Sequence, residues 1–273
     1  MIENIPTRKI ITVSRELPTE GNHPLLTLCD DYGIYYVKNS KFKNPAYEMI
    51  NEFICHFMLK QWDINTPEIA FINSNKLNLN AAYEKNHNSK YYSERLAIGS
   101  KAVPTAIDAT LFLSQKSKIN FKKYHSQIDF HHIGLFDLWI ENDDRGPELK
   151  NLMVYEENKL IKYLAIDHAF VLRTGAYKTL TEKTFASTKN NSILESDFKR
   201  TQNKFLIANP KLIESEREYF YLSISKCQKI LPEIFNLIPD NWGLSQNDKD
   251  LISNFLFEDK RNHAIFEEYK RLF

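Results

Sequence analysis

The hydrophobic pattern of this chain shifts near Gly99–Pro104 from mostly strand-like to mostly helical, and that shift strongly constrains the fold. Before that point, apolar residues come in short branched runs bounded by turn formers, the signature of strands. The runs are 9–13 (Lys-Ile-Ile-Thr-Val), 25–29 (Leu-Leu-Thr-Leu-Cys) and, beyond the turn Asp30-Asp31-Tyr32-Gly33, 34–38 (Ile-Tyr-Tyr-Val-Lys). They predict an antiparallel meander with Lys38 ending its third strand. Behind Asn44-Pro45, the residues Ala46, Met49, Ile50, Phe53, Ile54, Phe57 and Met58 recur with helical spacing, which predicts a helix to about Gln61. A strand is expected at 68–72 and another from Tyr92 to Ile98. Between them residues 73–91, rich in Asn and Lys, read as a mobile surface loop.

Beyond Pro104 the helical period dominates, over 105–115 and 124–141. A polar loop, 142–150, leads into a hairpin with strands at Asn151–Tyr155 and Leu160–Ile166. From about residue 192 the chain reads as mostly helical, punctuated by Pro210, Pro232 and Pro239. The pattern predicts an α+β chain in two lobes, a β-rich one over 1–100 and a mostly helical one over 101–273.

Composition excludes several classes. The 273 residues suffice for a substantial core, and 42% hydrophobic with 26% charged residues is ordinary for a globular protein. A formal net charge of +1 gives no basic footprint for nucleic acid. Cys29, Cys55 and Cys227 are far apart, which argues against a disulfide framework or zinc ribbon and fits a reducing cytoplasm. No segment approaches the ~20 apolar residues of a spanning helix, and no signal-peptide core is visible, so a soluble, cytoplasmic chain without membrane contact is expected. With only seven glycines, neither G-x-G-x-x-G nor G-x-x-x-x-G-K-[ST] can be written, which removes Rossmann and P-loop sites and the usual protein-kinase glycine loop.

One constellation carries chemistry. Asp144 is followed by Asn151 and then, across the hairpin, by Asp167. Phosphoryl transfer of the protein-kinase type needs an aspartate to orient the attacking hydroxyl, then an Asn and a second Asp to hold Mg²⁺ against the phosphates. A polar surface turn is the competing reading, because Asp, Asn, Gly and Pro favour turns for local reasons. Lys38 sits where a lysine can reach nucleotide phosphates, and a glutamate on the next helix can orient it. Glu48 and Glu52, spaced i, i+4 and away from the apolar stripe, both qualify, and both also read as a solvated helix face.

The ordered set of motifs resembles the HipA-like kinase family, in a compact form without the longer toxin's extra N-terminal subdomain. The residues that carry the resemblance are Gly21-Asn22-His23-Pro24-Leu25-Leu26, Tyr36-Val37-Lys38, Asn51-Glu52 and Pro67-Glu68. They continue with Phe136-Asp137-Leu138-Trp139-Ile140-Glu141-Asn142-Asp143-Asp144-Arg145, Asn151-Leu152, Ile166-Asp167-His168 and Ile238-Pro239-Asp240-Asn241-Trp242. The resemblance implies a two-lobed protein-kinase-like fold that binds ATP and Mg²⁺ and phosphorylates protein Ser or Thr, the protein itself included. It implies Lys38 on the nucleotide phosphates with Glu52 as its partner, Asp144 as catalytic aspartate, and Asn151 and Asp167 as metal ligands. Gly21, Asn22 and His23 would lie in the phosphate-covering loop, and the backbone of Glu94–Ile98, with Glu94 and Leu96, would hold adenine.

One departure stands out. The family pattern usually places the metal-binding Asn five residues after the catalytic Asp, whereas Asp144 to Asn151 is seven, so Arg145–Lys150 must bulge outward. Two rivals follow: a small-molecule phosphotransferase on the same scaffold, and a nucleotide- or partner-binding module without catalysis. The histidines His125, His131 and His132 lack zinc-helix spacing, and Trp62, Trp139 and Trp242 read as core anchors.

Overall fold

The computed structural model describes residues 2, 4–17, 23–40, 45–74, 95–114, 128–142, 144–173, 177–181, 192–196 and 210–271. Its N-terminal part is a closed five-stranded barrel: β1 (Thr7–Glu16), β2 (Leu25–Cys29), β3 (Ile34–Lys38), β4 (Ile69–Asn73) and β5 (Ala97–Lys101), in the order β1-β2-β3-β5-β4. The expected meander is present, and β1 runs on to Glu16 with two register shifts against β2. Closure comes from a parallel pairing of Thr7–Lys9 with Phe71–Asn73. Alternation fills the barrel: in β3, Tyr35 and Val37 point inward while Ile34 and Tyr36 face out. Gly99 is needed at the centre of β5, because a Cβ there would stand 2.7 Å from Ile72 Cγ1.

The strand expected from Tyr92 starts at Ala97 and passes Gly99 to Lys101, paired with β3 on one side and β4 on the other. The loop expected over 73–91 lies almost wholly outside the described residues.

Helix α1 (Tyr47–Gln61) differs from its expected amphipathic form. Twelve of its fifteen residues, Glu48 to Leu59, are buried, Glu48 and Glu52 among them. The reason is tertiary: α1 packs on β5 and on α4 (Pro210–Leu237), so no solvated face remains. Its N-terminus is fixed by the Ala46 N–H, which donates to the Trp242 carbonyl at 2.8 Å. Trp242 also donates its indole N–H to the Leu96 carbonyl at 2.8 Å and packs edge-on against Phe53 and Phe71.

Past the barrel, β6 (Ile107–Asp108) precedes α2 (Ala109–Ser114), so the helical pattern at 105–115 begins as a strand. The helix α3 (Asp129–Ile140) is buried nearly throughout and ends on Glu141 in a left-handed conformation, φ 53°. The hairpin forms as β7 (Leu152–Glu157) and β8 (Leu160–Ala165), with β6 on the outer edge of β7. Helix α4 is amphipathic: Glu216, Phe220, Ile224, Cys227, Leu231 and Phe235 line its buried face. Pro232 was expected to interrupt it and lies inside it, on the exposed side. Then α5 (Gln246–Leu256), opened by a Ser245–Asp248 capping box, and α6 (Asp259–Arg271) complete the helical part.

The main hydrophobic core joins α1 to α3, the hairpin and α4–α6, with Trp62, Trp139 and Trp242 fully buried. A smaller core of Ile10, Leu25, Cys29, Tyr35, Val37, Ala70, Ile72 and Ala97 fills the barrel. All three cysteines are buried and free. Among the described residues, no helix is long and apolar enough to cross a membrane.

Candidate active site

Four segments converge between the barrel and the hairpin. Strand β3 delivers Lys38, α1 delivers Glu52, the loop after α3 delivers Asp144 and Asn151, and the chain leaving β8 delivers Asp167. Lys38 is interior to the barrel wall, between β2 and β5, so a role in protecting a sheet edge does not apply. Its ammonium is 2.7 Å from Asp167 Oδ1 and forms a short ion pair with Glu52 Oε1. The other oxygen of Glu52 accepts the His168 N–H at 3.0 Å. Glu48, the alternative partner, accepts the Ser40 hydroxyl instead.

The charges are strongly interdependent. Burial disfavours the Lys38 ammonium, but Asp167 and then Glu52 outweigh it and hold its pKa above the ordinary lysine value. Burial also pushes Asp167 up, and the Lys38 charge more than offsets this, leaving the carboxyl below its usual range. For Glu52 burial wins over Lys38, with Asp167 adding repulsion, and its pKa is raised. One cation therefore serves two acids, which leaves the group able to accept another positive charge.

The hairpin register brings the remaining residues in. Leu152 pairs with Ala165, and the Ile166 N–H donates to the Asn151 carbonyl at 3.1 Å, so Asn151 and Asp167 flank one end of the ladder. Asn151 Nδ2 donates to Asp144 Oδ2 at 2.9 Å. The longer spacing is thus absorbed. The intervening loop turns Glu148 and Lys150 outward and tucks Leu149 inward at 5% exposure, with Leu149 and Asn151 both at positive φ. Asp167 is also left-handed, φ 56°, a conformation that a non-glycine residue holds only where its surroundings fix it.

Asn51, beside Glu52, adds a second tie that sequence reasoning gave no role. Its amide donates to the carbonyls of Ala169 (2.9 Å) and Val171 (3.2 Å), and its oxygen accepts the Tyr177 hydroxyl at 2.8 Å. Arg145 likewise stands in the sequence only as part of a motif. It is fully buried and paired with buried Asp137 at 2.8 Å. A basic residue at zero exposure inside a polar loop is not legible from local pattern.

Other expected residues fall differently. Gly21, Asn22, Glu94 and Asp143 lie outside the described residues. His23 is in the β1–β2 connection, φ 43°, with Nδ1 3.5 Å from Glu16. The adenine-holding role expected for Leu96 is not favoured, because its carbonyl is taken by Trp242 and the next residues, Ala97 and Ile98, lie within the barrel wall. His132 stacks on Tyr219 and pairs with Glu216 at 3.2 Å, and His131 is packed in α3. Among the described residues, no three His, Cys, Asp or Glu side chains group as metal ligands. Asp167 and Asn151 offer a carboxylate and an amide oxygen, hard donors of the kind Mg²⁺ takes while keeping positions for phosphate and water.

Comparison with known proteins identifies a family and a shared fold. The family model described as HipA-like kinase matches residues 10–269. A crystal structure of a Helicobacter pylori proinflammatory kinase, CtkA, superposes with a TM-score of 0.55 at 11% identity, covering 98% of each chain, so the two share a fold. No curated protein matches the sequence.

Proposed function

The chain belongs to the HipA-like kinase family, and from that premise we propose that it transfers the γ-phosphoryl group of ATP, with Mg²⁺, to a protein Ser or Thr hydroxyl. The observation that carries this reading is the Lys38–Glu52–Asp167 group beside the Asp144–Asn151 hydrogen bond. These are the five side chains such a transfer requires, and they come from four separate segments.

In this reading the barrel and the helical part, 1–100 and 101–273, are the two lobes, and the nucleotide lies where they meet. Lys38 neutralises phosphate charge, and Glu52 keeps the ammonium aimed. Gly21, Asn22 and His23, in the β1–β2 connection, cover the phosphates. Adenine lies against Ala102-Val103-Pro104, the partly exposed stretch that leaves β5, rather than at Leu96. Bound Mg²⁺, held by Asp167 and the side-chain oxygen of Asn151, supplies positive charge that neutralises the phosphates. Asp144 orients the acceptor hydroxyl and takes its proton. Its carboxylate is held for that task by the Asn151 amide and by its own N–H on Asn142 Oδ1, at 3.2 Å.

Incubation with γ-labelled ATP and Mg²⁺ tests the reading. The expected result is ADP release with label on Ser or Thr of the protein itself or of an added protein. Label confined to small molecules would make it a small-molecule phosphotransferase. ATP binding without ADP release or label would make it a binding module.

A further inference from the structure

Arg145 follows the proposed catalytic aspartate, yet it is buried to 0% exposure. Its Nε donates to Asp137 Oδ2 at 2.8 Å. Nη1 donates to the Asn151 carbonyl and, at 3.4 Å, to the Ile166 carbonyl. Nη2 is 2.7 Å from His168 Nε2. A guanidinium only donates, so Nε2 is the acceptor and the neutral ring carries its proton on Nδ1. Three of these contacts therefore fall on Asn151 itself and on the two neighbours of Asp167.

The other end of the fork is equally fixed. Asp137 accepts the Asn142 amide at 2.9 Å through its second oxygen, and Asn142 Oδ1 receives the Asp144 N–H. We infer that Arg145 is the positioning residue of the metal site: one planar fork sets Asn151 against Asp167 and ties both to the loop that carries Asp144. The inference rests on the kinase reading above. Backbone geometry supports it independently. Asn151 and Asp167 both occupy left-handed conformations, φ 57° and 56°, and Arg145 grips a carbonyl at or immediately before each of them. Lysine would keep the charge opposite Asp137, but a single ammonium lacks the fork geometry to serve these acceptors together.

The test is Mg²⁺ titration of ATP-analogue binding by calorimetry, on wild type, Arg145→Lys and His168→Phe, with thermal unfolding as the fold control. Residues that orient metal ligands typically contribute ~10–100-fold to metal affinity. Arg145→Lys is expected to bind the analogue without metal as wild type does and to need at least about ten-fold more Mg²⁺ for half-saturation. His168→Phe, which removes one acceptor, is expected to shift in the same direction by less. A lower melting temperature with wild-type Mg²⁺ dependence would make Arg145 merely structural and overturn the inference. Should Arg145→Lys fail to fold, unchanged Mg²⁺ dependence in His168→Phe overturns it as well. If wild-type binding itself ignores Mg²⁺, the kinase reading fails first and takes the inference with it.

Discussion

Lys38 lies 2.7 Å from Asp167 while also pairing with Glu52, so a single part-buried ammonium joins the barrel, α1 and the segment leaving the hairpin. Its removal exposes two acids to each other with no compensating charge. Breaking a fully buried pair on one side costs about 3–5 kcal/mol, an upper bound here because a third of the Asp167 side chain meets solvent. Lys38→Met is expected to lose phosphoryl transfer and a part of its stability within that bound. The double variant Lys38→Met/Glu52→Gln should regain stability but no activity. Chemical denaturation of the wild type, both single variants and the double variant measures this coupling, and strictly additive losses would contradict it.

The Asp167 carboxyl is held below its usual range by Lys38 and is therefore ionised at neutral pH, ready for a cation. Asp167→Ala should leave weak metal-independent ATP binding, through Lys38, and abolish the gain in affinity on adding Mg²⁺. Calorimetry with and without Mg²⁺ reads this directly. Retention of the full Mg²⁺ effect would place the metal elsewhere.

Much of this arrangement is legible in the sequence, and the rest fails for identifiable reasons. The meander, α1 and the hairpin announce themselves because their signals are local: branched runs, helical spacing and turn residues. Lys38, Asp144, Asn151 and Asp167 stand out because their order along the chain mirrors a chemical requirement. Glu52 was separable from Glu48 only by family resemblance, since both share one helix face. What decides between them in space is the position of Ser40 and the His168 N–H. The burial of α1, barrel closure through Thr7–Lys9 and the Trp242 hydrogen bond to Leu96 all depend on partners distant in sequence, which no window can register. Pro232 misled for the opposite reason: a strong local signal was overridden by the packing of Leu231, Ile234 and Phe235 on either side of it.

Stability should fall as pH falls, through a buried histidine one turn from Glu52 on α1. His56 is buried at 3% exposure, and burial followed by the Lys60 charge lowers its pKa from 6.5 to about 3. The folded state thus binds its proton less readily than the unfolded chain. The stabilising contribution is complete above about pH 6.5 and is lost as pH falls from there toward 3. Linkage puts the loss between pH 7 and pH 5 at about 2 kcal/mol. Urea unfolding at the two pH values should show His56→Gln losing less than wild type by about that amount. Identical pH dependence in both proteins would show that His56 titrates normally in the fold.

The catalytic assignment of Asp144 is tested most directly by separating binding from transfer. An aspartate that aligns the acceptor hydroxyl and takes its proton is dispensable for nucleotide affinity, and general-base contributions are typically ~10²–10⁴-fold. The measurement is the rate of phosphoryl transfer from Mg²⁺·ATP by wild type and Asp144→Asn, with nucleotide affinity determined on the same preparations. The account predicts unchanged affinity and a rate lower by roughly two to four orders of magnitude. Transfer by Asp144→Asn at the wild-type rate would contradict it.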